Sequence, residues 1–215
     1  MKAIIIGATG LVGNLILNEL LKDSDFSEVR IFVRKTTGIG NLKLKEFVSP
    51  LKDIVSLSSE IQGDVLFNAL GTTIKNAGSQ AEQQRIDRDL PINFARIASK
   101  NGVKIMVNVS STGASMKGGF YLRTKAEMEK GTEDFFPEAV YHFRPGLLVG
   151  NRKEFRQAEK IAMGVMKVID PILIGYARKY RSMPVDRLAK AIVSLSKNPV
   201  GKAHILYFSE IMQCI

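Results

Sequence analysis

The side chains of Tyr121 and Lys125 have the types and the spacing that proton transfer requires. A separation of four residues on a helix places the phenol and the ammonium on one face, about one turn apart. A nearby ammonium favours the phenolate, so Lys125 is expected to lower the pKa of the Tyr121 phenol toward the range useful for proton transfer. The alternative interpretation is an ordinary pair of side chains on a helix surface.

Hydroxyl side chains follow the predicted strand that precedes this helix. Ser110, Ser111 and Thr112 come directly after an apolar run that ends at Val109. The ligand crevice of a doubly wound sheet opens at the carboxyl ends of its strands. A serine at this position can donate a hydrogen bond to a substrate carbonyl. The strand after the helix leads into a rigid Arg-Pro-Gly turn, residues 144–146, at the same edge.

Three glycines near the start of the chain predict a dinucleotide site. Gly7, Gly10 and Gly13 follow an apolar run at residues 3–6 and precede a helical pattern. The first glycine allows a tight turn, the second lets backbone N–H groups approach a pyrophosphate, and the third lets the helix pack closely on the strand. The alternative is a turn whose glycines only satisfy backbone geometry.

The choice of cofactor is predicted from the end of the second strand. An acidic residue there would accept hydrogen bonds from both ribose hydroxyls and select NAD. This chain instead has Arg34 and Lys35, with no carboxylate close by. Because a guanidinium fork matches a 2′-phosphate, the stretch predicts NADP rather than NAD. The alternative is that Arg34 is a solvated charge at a strand end.

The alternation of predicted strands and helices indicates an α/β fold with a doubly wound, mostly parallel sheet of the Rossmann type. The predicted strands are residues 3–6, 29–33, 46–48, 65–69, 103–109, 140–143 and 205–208. The predicted helices are residues 11–21, residues 81–100 with a kink or break at Pro91, and residues 121–131 with Gly131 as the end. We expect residues 1–215 to form a single NAD(P)-binding domain, in which residues 151–215 make a small substrate-side lobe.

Composition narrows the function classes. The net charge is +10 over 215 residues, but the basic residues are scattered, so specific nucleic-acid binding is not expected. No His, Asp or Glu cluster has metal-ligand spacing, and Cys214 is the single cysteine, so we expect no metal. No apolar stretch approaches the roughly 20 residues of a membrane span, and no secretory signal is present. We therefore expect no membrane span and a cytoplasmic location.

Several other polar residues are predicted to have structural roles. His142, inside an apolar strand, is expected to be a structural histidine. Asp87 and Asp89 are expected to cap or brace a helix. Glu127 and Glu129, which follow Lys125 on its helix, are expected to face solvent.

In this order, the motifs resemble those of the short-chain dehydrogenase/reductase superfamily in its extended or atypical form. The resemblance is carried by the glycine motif, the Asn-Val-Ser-Ser strand end, the Tyr-x-x-x-Lys pair and the Arg-Pro-Gly turn. The stretches at residues 70–73 (Leu-Gly-Thr-Thr) and 86–89 (Ile-Asp-Arg-Asp) more closely resemble the branch of the Tat-interacting protein and its bacterial oxidoreductase relatives. The similarity runs from residue 1 to about residue 195.

The resemblance implies a role for each matching residue. Tyr121 would be the general acid/base, and Lys125 its partner and a ribose ligand. Ser111 would orient the substrate carbonyl, with Ser110 and Thr112 as alternatives. The residues implied to surround the pyrophosphate are Gly7, Thr9, Gly10, Leu11, Val12 and Gly13, and those implied to line the adenine-ribose side are Leu70, Gly71 and Thr72.

The sequence therefore predicts an NADP-dependent oxidoreductase that moves hydride between the nicotinamide and a small, partly hydrophobic carbonyl or alcohol. A second hypothesis is a non-catalytic NADP(H)-binding sensor or scaffold that regulates a protein partner. A third, a nucleotide-sugar epimerase with tightly held NAD, is disfavoured by Arg34 and by the short C-terminal segment. The motifs leave a monomer and a homodimer open.

Overall fold

The structure is a computed structural model that describes residues 1–136, 139–150, 170–199 and 204–215. Its strands, in chain order, are β1 (Lys2–Ile6), β2 (Glu28–Val33), β3 (Leu44–Val48), β4 (Val65–Asn68), β5 (Ile105–Val109), β6 (Val140–Phe143), β7 (Leu148–Val149), β8 (Met183–Pro184) and β9 (His204–Leu206). Its α-helices are α1 (Leu11–Lys22), α2 (Ile74–Ala77), α3 (Gln80–Gln84), α4 (Leu90–Lys100), α5 (Phe120–Glu133), α6 (Val185–Lys197) and α7 (Phe208–Gln213). A π-helical turn at Arg85–Asp89 joins α3 to α4.

Seven of these strands form one parallel sheet in the order β3-β2-β1-β4-β5-β6-β9. The chain adds strands on one side of β1 as far as β3, and then returns to place β4 on the other side. In a doubly wound sheet this reversal opens a crevice at the carboxyl ends of the two central strands. The predicted fold class, an α/β Rossmann sheet, is confirmed.

Burial on both faces of the sheet explains the continuous apolar runs. Ile4, Ile5 and Ile6 of β1 are all fully buried. Ile5 packs in one hydrophobic cluster with side chains of α1 and α6, whereas Ile4 and Ile6 pack in the other with side chains of α4. Because successive side chains of a strand point to opposite faces, a strand covered by helices on both faces must be apolar throughout.

Two predicted helices differ in detail from the structure. The stretch at residues 81–100 contains the π turn at Arg85–Asp89, and Pro91 follows this turn as the second residue of α4. Gly131 does not end its helix, because α5 continues to Glu133. A Cβ at Gly131 would lie 2.4 Å from Cδ1 of Ile92, so this glycine allows α5 to approach α4 closely.

The C-terminal part of the chain adds one helix and one strand to the helix and sheet layers of the domain. Helix α6 packs against α1, and β9 pairs with β6 at the sheet edge. The short strands β7 and β8 form a separate parallel pair. Residues 151–169 and 200–203 of the predicted lobe lie outside the described residues, and the division of residues 1–215 stays a prediction. No helix in the described ranges is both long enough and apolar enough to cross a membrane.

Candidate functional site

A cavity of about 760 Å³ opens at the carboxyl ends of β1, β4, β5 and β6. Its size is within the range of small-molecule and cofactor sites. The lining residues come from the segments that follow these strands, from α5 and from the C-terminal segment: Gly10, Leu11, Val12, Ala69, Leu70, Gly71, Thr72, Thr73, Asn76, Val109, Ser110, Ser111, Thr112, Tyr121, Lys125, Pro145, Gly146, Leu147, Leu148 and Tyr180. The cavity therefore coincides with the crevice at which the strand order reverses.

The glycine turn brings backbone against backbone at the floor of this cavity. Gly7 has φ +83°, and a Cβ there would lie 2.6 Å from the carbonyl of Ala69. A Cβ at Gly13 would lie 2.1 Å from the carbonyl oxygen of Gly7. Gly10 is the N-cap of α1, so the first N–H groups of that helix open toward the cavity. Thr9 is exposed beside the turn and is not a lining residue.

Tyr121 and Lys125 both line the cavity, one turn apart on α5. Tyr121 is 41% exposed, whereas Lys125 is 3% exposed. The Lys125 ammonium donates hydrogen bonds to the carbonyl of Leu70, at 3.1 Å, and to the carbonyl of Val109, at 3.4 Å. Lys125 thus links the segment that follows β4 to the end of β5, one helical turn from Tyr121.

The three hydroxyl side chains after β5 have different partners. The Thr112 hydroxyl is 2.7 Å from the carbonyl oxygen of Arg144, to which it donates a hydrogen bond. The half-buried Ser111 makes only a long contact of 3.4 Å to the carbonyl of Thr112. Ser110 is buried, and its Oγ has no hydrogen-bond partner among the described residues. Ser110 and Ser111 are therefore the hydroxyls that a ligand in the cavity can engage.

Arg34 and Lys35 lie outside the cavity lining, on the exposed bend that follows β2. Tertiary structure brings Glu82 within electrostatic reach of Arg34, although no carboxylate is near in sequence. The pKa of Glu82 is lowered chiefly by its hydrogen bond to Arg85, with further contributions from the charges of Lys52 and Arg34. A second carboxylate, Glu46, accepts hydrogen bonds from Thr36 and Thr37, which follow the bend.

A buried polar layer supports the site from below. Asn68 donates to Asn108 at 2.9 Å, and Asn108 donates to the Thr132 hydroxyl at 3.0 Å. The amide nitrogen of Asn108 also lies 3.2 Å from Nδ1 of His142, whose Nε2 is 3.0 Å from the Glu133 carboxylate. Burial lowers the pKa of His142, which favours a neutral ring that donates from Nε2 and accepts at Nδ1. His142 thus braces β5 and β6 against α5.

Glu129 is buried, so the expectation that it faces solvent is wrong. Both of its carboxylate oxygens accept hydrogen bonds from the Arg144 guanidinium, at 2.8 and 2.5 Å, and Arg144 also donates to the Tyr207 hydroxyl at 3.0 Å. The hydrogen bonds from Arg144 to Glu129 raise the pKa of that guanidinium. Glu127 is partly buried and pairs with Arg88 at 2.8 Å. The ion pair with Arg144 fixes α5 to the end of β6.

Several lining residues were not assigned to the site from the sequence. These are Ala69, Thr73, Asn76, Leu147, Leu148 and Tyr180. Thr73 is the last residue of the Leu-Gly-Thr-Thr stretch and Asn76 follows three residues later, so proximity in sequence was a usable signal for them. Tyr180 reaches the cavity through the tertiary fold, and no local pattern marks it. Within the described residues, no group of three His, Cys, Asp or Glu side chains could hold a metal ion.

Comparison with known proteins decides the family. The model of the family described as NAD(P)H-binding matches residues 7–139. The chain belongs to this NAD(P)H-binding family. The mitochondrial protein fmp52 of Emericella nidulans is 32% identical over 97% of this chain and 96% of its own length. The mitochondrial protein FMP52 of Eremothecium gossypii is 30% identical over 100% of this chain and 97% of its own length.

Solved structures of other proteins share the fold of this NAD(P)H-binding protein. The Bordetella bronchiseptica enzyme WbmH in complex with NAD⁺ has a TM-score of 0.73 and 16% identity over 96% of this chain and 75% of the other. UDP-glucose 4-epimerase of Thermotoga maritima with UDP-glucose has a TM-score of 0.70 and 14% identity over 96% of this chain and 77% of the other. At such low identity these likenesses concern the fold.

The expected cytoplasmic location is wrong. Both relatives named above, and a relative from Candida albicans that is 34% identical over 72% of this chain, are named mitochondrial proteins. The expectation rested on the absence of a secretory pattern, which bears on secretion and does not separate the cytoplasm from an organelle.

The contact of Gly13 with Gly7 predicts an unusual response to a helix-favouring substitution. Helix propensity alone would make Gly13→Ala stabilising by about 1 kcal/mol. The clash of the new Cβ with the Gly7 carbonyl reverses the sign, and we expect a loss of about 2 kcal/mol in the free energy of unfolding, measured in urea. Gly40→Ala is the control, because a Cβ there meets nothing within 4 Å. A stabilised Gly13→Ala protein would contradict this packing.

The ion pair of Glu129 with Arg144 predicts a large cost for removing one partner. Glu129→Gln leaves a guanidinium that is only 12% exposed without its counter-charge. We expect a loss of about 3 kcal/mol in the free energy of unfolding. Glu127→Gln, the same change on the same helix in a more exposed pair, is expected to cost about 1 kcal/mol or less. Equal losses in the two variants would show that burial of the Arg144 pair has no special effect.

Proposed function

We propose that the protein is an NADP-dependent oxidoreductase of the short-chain dehydrogenase/reductase type, which converts a small carbonyl compound and the corresponding alcohol. The observation that carries the proposal is the presence of Tyr121 and Lys125, side by side, in the cavity that begins at the glycine turn. A binding protein that performs no chemistry has no need for a phenol and an ammonium one turn apart.

The glycine turn and the start of α1 fit a dinucleotide. The turn leaves no room for a Cβ at Gly7 or Gly13, and it directs the positive end of the helix dipole toward the cavity. We assign Gly7, Thr9, Gly10, Leu11, Val12 and Gly13 to the pyrophosphate side, and Leu70, Gly71 and Thr72 to the adenine-ribose side. When bound, the nicotinamide supplies or accepts the hydride.

The charges after β2 support NADP over NAD. The charges of Arg34, Lys52 and Arg85 all act on Glu82, and Arg85 holds that carboxylate with hydrogen bonds of 2.9 and 2.7 Å. The cluster keeps an excess of positive charge that attracts a 2′-phosphate, and the planar fork of Arg34 is suited to bind it. Lys35, on the same exposed bend, adds to this field.

The proton of the reaction is assigned to Tyr121. Its phenol is exposed to the cavity, where it can donate to or accept from a substrate oxygen. Lys125 lies beneath it and stabilises the negative charge that forms when the phenol gives up its proton. We assign Ser111 to orient the carbonyl, with the unpartnered hydroxyl of Ser110 as the alternative.

The walls beyond Tyr121 support an apolar substrate. Pro145, Leu147, Leu148 and Tyr180 contribute to that part of the lining, and Lys125 is the only charged lining residue in the described ranges. Against the described lining of this part a diphosphate would meet little positive charge, so a small uncharged carbonyl compound fits these residues better. The named location of the relatives supports activity in mitochondria.

Replacement of Arg34 tests the cofactor assignment. Arg34→Asp is expected to weaken NADPH binding at least about tenfold, because a charge-assisted bond to the 2′-phosphate is replaced by repulsion, while NADH binding changes little. Isothermal titration calorimetry with each cofactor measures both constants. Lys104→Asp makes the same change of charge at the amino edge of the sheet and controls for general electrostatics. Equal losses for NADPH and NADH in Arg34→Asp would defeat the assignment.

Replacement of Tyr121 tests the reaction. Tyr121→Phe removes the phenolic proton and is expected to lower turnover of a carbonyl substrate about a hundredfold, with the Kd for NADPH unchanged. Tyr176→Phe removes the same atom from an 84% exposed side chain outside the lining and is expected to retain full turnover. Tight NADPH binding by a wild-type protein that turns over no carbonyl compound would instead favour a cofactor-sensing scaffold.

A further inference from the structure

Asp87 is a fully buried acid in the π turn between α3 and α4. Its Oδ1 accepts the N–H of Thr72 at 2.9 Å, while its Oδ2 has no partner among the described residues. Gln83 donates to the carbonyl of Thr72 at 3.0 Å, so the peptide groups of this lining residue are held at both ends. The hydrogen bond from the Thr72 N–H engages only one of the two carboxylate oxygens of Asp87. The other oxygen calls for a further explanation, because a buried carboxylate is costly unless it is paired.

Lys125 is a buried cation whose hydrogen-bond partners are neutral. Its buried ammonium donates only to the neutral carbonyls of Leu70 and Val109, and no carboxylate among the described residues lies within 4 Å of it. A buried ammonium held only by neutral groups needs a counter-charge nearby. The π turn that carries Asp87 packs directly on α5, which carries Lys125. Two buried groups of opposite charge therefore adjoin the same loop.

The pKa of Asp87 reflects this proximity. Burial raises the pKa of the carboxyl above its usual range, and the charge of Lys125 and the hydrogen bond from Thr72 oppose that rise. Asp87 and Lys125 are bonded to the same loop, at Thr72 and at Leu70, and are separated by more than a salt-bridge distance.

The other acids of the adjoining elements have partners of their own. Within the described residues these pairs are Arg85 with Glu82 of α3, Arg88 with Asp89 and with Glu127 of α5, and, on α5 itself, Arg123 with Glu127, Glu129 with Arg144 and Glu133 with His142. The remaining titratable side chain on this face of α5 is Tyr121, which the cavity exposes. Asp87 is therefore the acid left to balance Lys125.

We propose that Asp87 is a positioning residue whose buried carboxylate is the counter-ion of Lys125 and ties that ammonium to the loop at Thr72. It touches neither substrate nor cofactor, and it acts by holding the Lys125 ammonium in place. Its importance for turnover rests on the proposed function, whereas the charge pairing itself does not.

The pairing is tested on the protein without cofactor. The carboxyl carbon of Asp87, assigned by its absence in Asp87→Asn, is titrated by ¹³C NMR in the wild type, in Lys125→Met and in Lys125→Arg. Loss of the cation in Lys125→Met is expected to raise the titration midpoint of Asp87 by about one pH unit, and Lys125→Arg is expected to restore the wild-type midpoint. Superimposable curves for wild type and Lys125→Met would overturn the proposal. Because the assay needs neither NADPH nor substrate, failure of the proposed function leaves its result intact.

The consequence for the site is tested by the pH dependence of NADPH binding. Asp87→Asn keeps an oxygen for the Thr72 N–H but removes the charge. The NADPH affinity of the wild type is expected to fall as the pH falls through the titration of Asp87, and Asp87→Asn is expected to lose this dependence. Asp89→Asn, the same change in a half-exposed residue of the same turn, is the control and is expected to keep the wild-type profile. A uniform loss of affinity at every pH would assign Asp87 a merely structural role in the loop and overturn its role as counter-ion.

Discussion

The close approach of two backbone segments at the centre of the sheet is the constraint on which the site depends. Gly7 lies against the carbonyl of Ala69 at the end of β4, and Gly13 lies against the carbonyl of Gly7. Only glycine allows these distances, because any Cβ would overlap a backbone atom. The result is that α1 begins at the crevice between β1 and β4, with its unpaired N–H groups and its dipole directed into the cavity. The remaining lining residues are arranged around this fixed point.

Helix α5 is the second fixed element, and it is held by polar groups rather than by apolar packing alone. The layer of Asn108, Thr132 and His142 joins it to the sheet, and the pair of Glu129 with Arg144 joins it to the end of β6. Such groups are favourable in a protein interior only when their hydrogen bonds are satisfied in one arrangement. Their satisfaction therefore specifies where α5 lies and, through it, where Tyr121 and Lys125 enter the cavity.

Membership of the NAD(P)H-binding family and the Rossmann fold leave the reaction open, since one fold supports many reactions. Structures with TM-scores near 0.7 include an NAD⁺ complex and a UDP-glucose complex, whereas the walls beyond Tyr121 in this chain are mainly apolar. The feature of this chain that bears on the choice of cofactor and substrate is the distribution of charged side chains around the cavity. Positive charge gathers on the bend after β2, and within the described lining Lys125 is the charged residue.

The sequence by itself determined the features that depend on neighbouring residues. The apolar strands, the glycine turn and the one-turn spacing of Tyr121 and Lys125 are local patterns, and the observed fold class agrees with them. Only the tertiary structure decided that the charge of Arg34 acts on Glu82, that Glu129 is buried against Arg144, and that the charge of Lys125 acts on Asp87. These partners are far apart in the chain, and a charged side chain has the same appearance in a sequence whether it meets water or a buried counter-charge. Strand order and helix packing bring such groups together, and they are set by the burial of apolar surface across the whole domain.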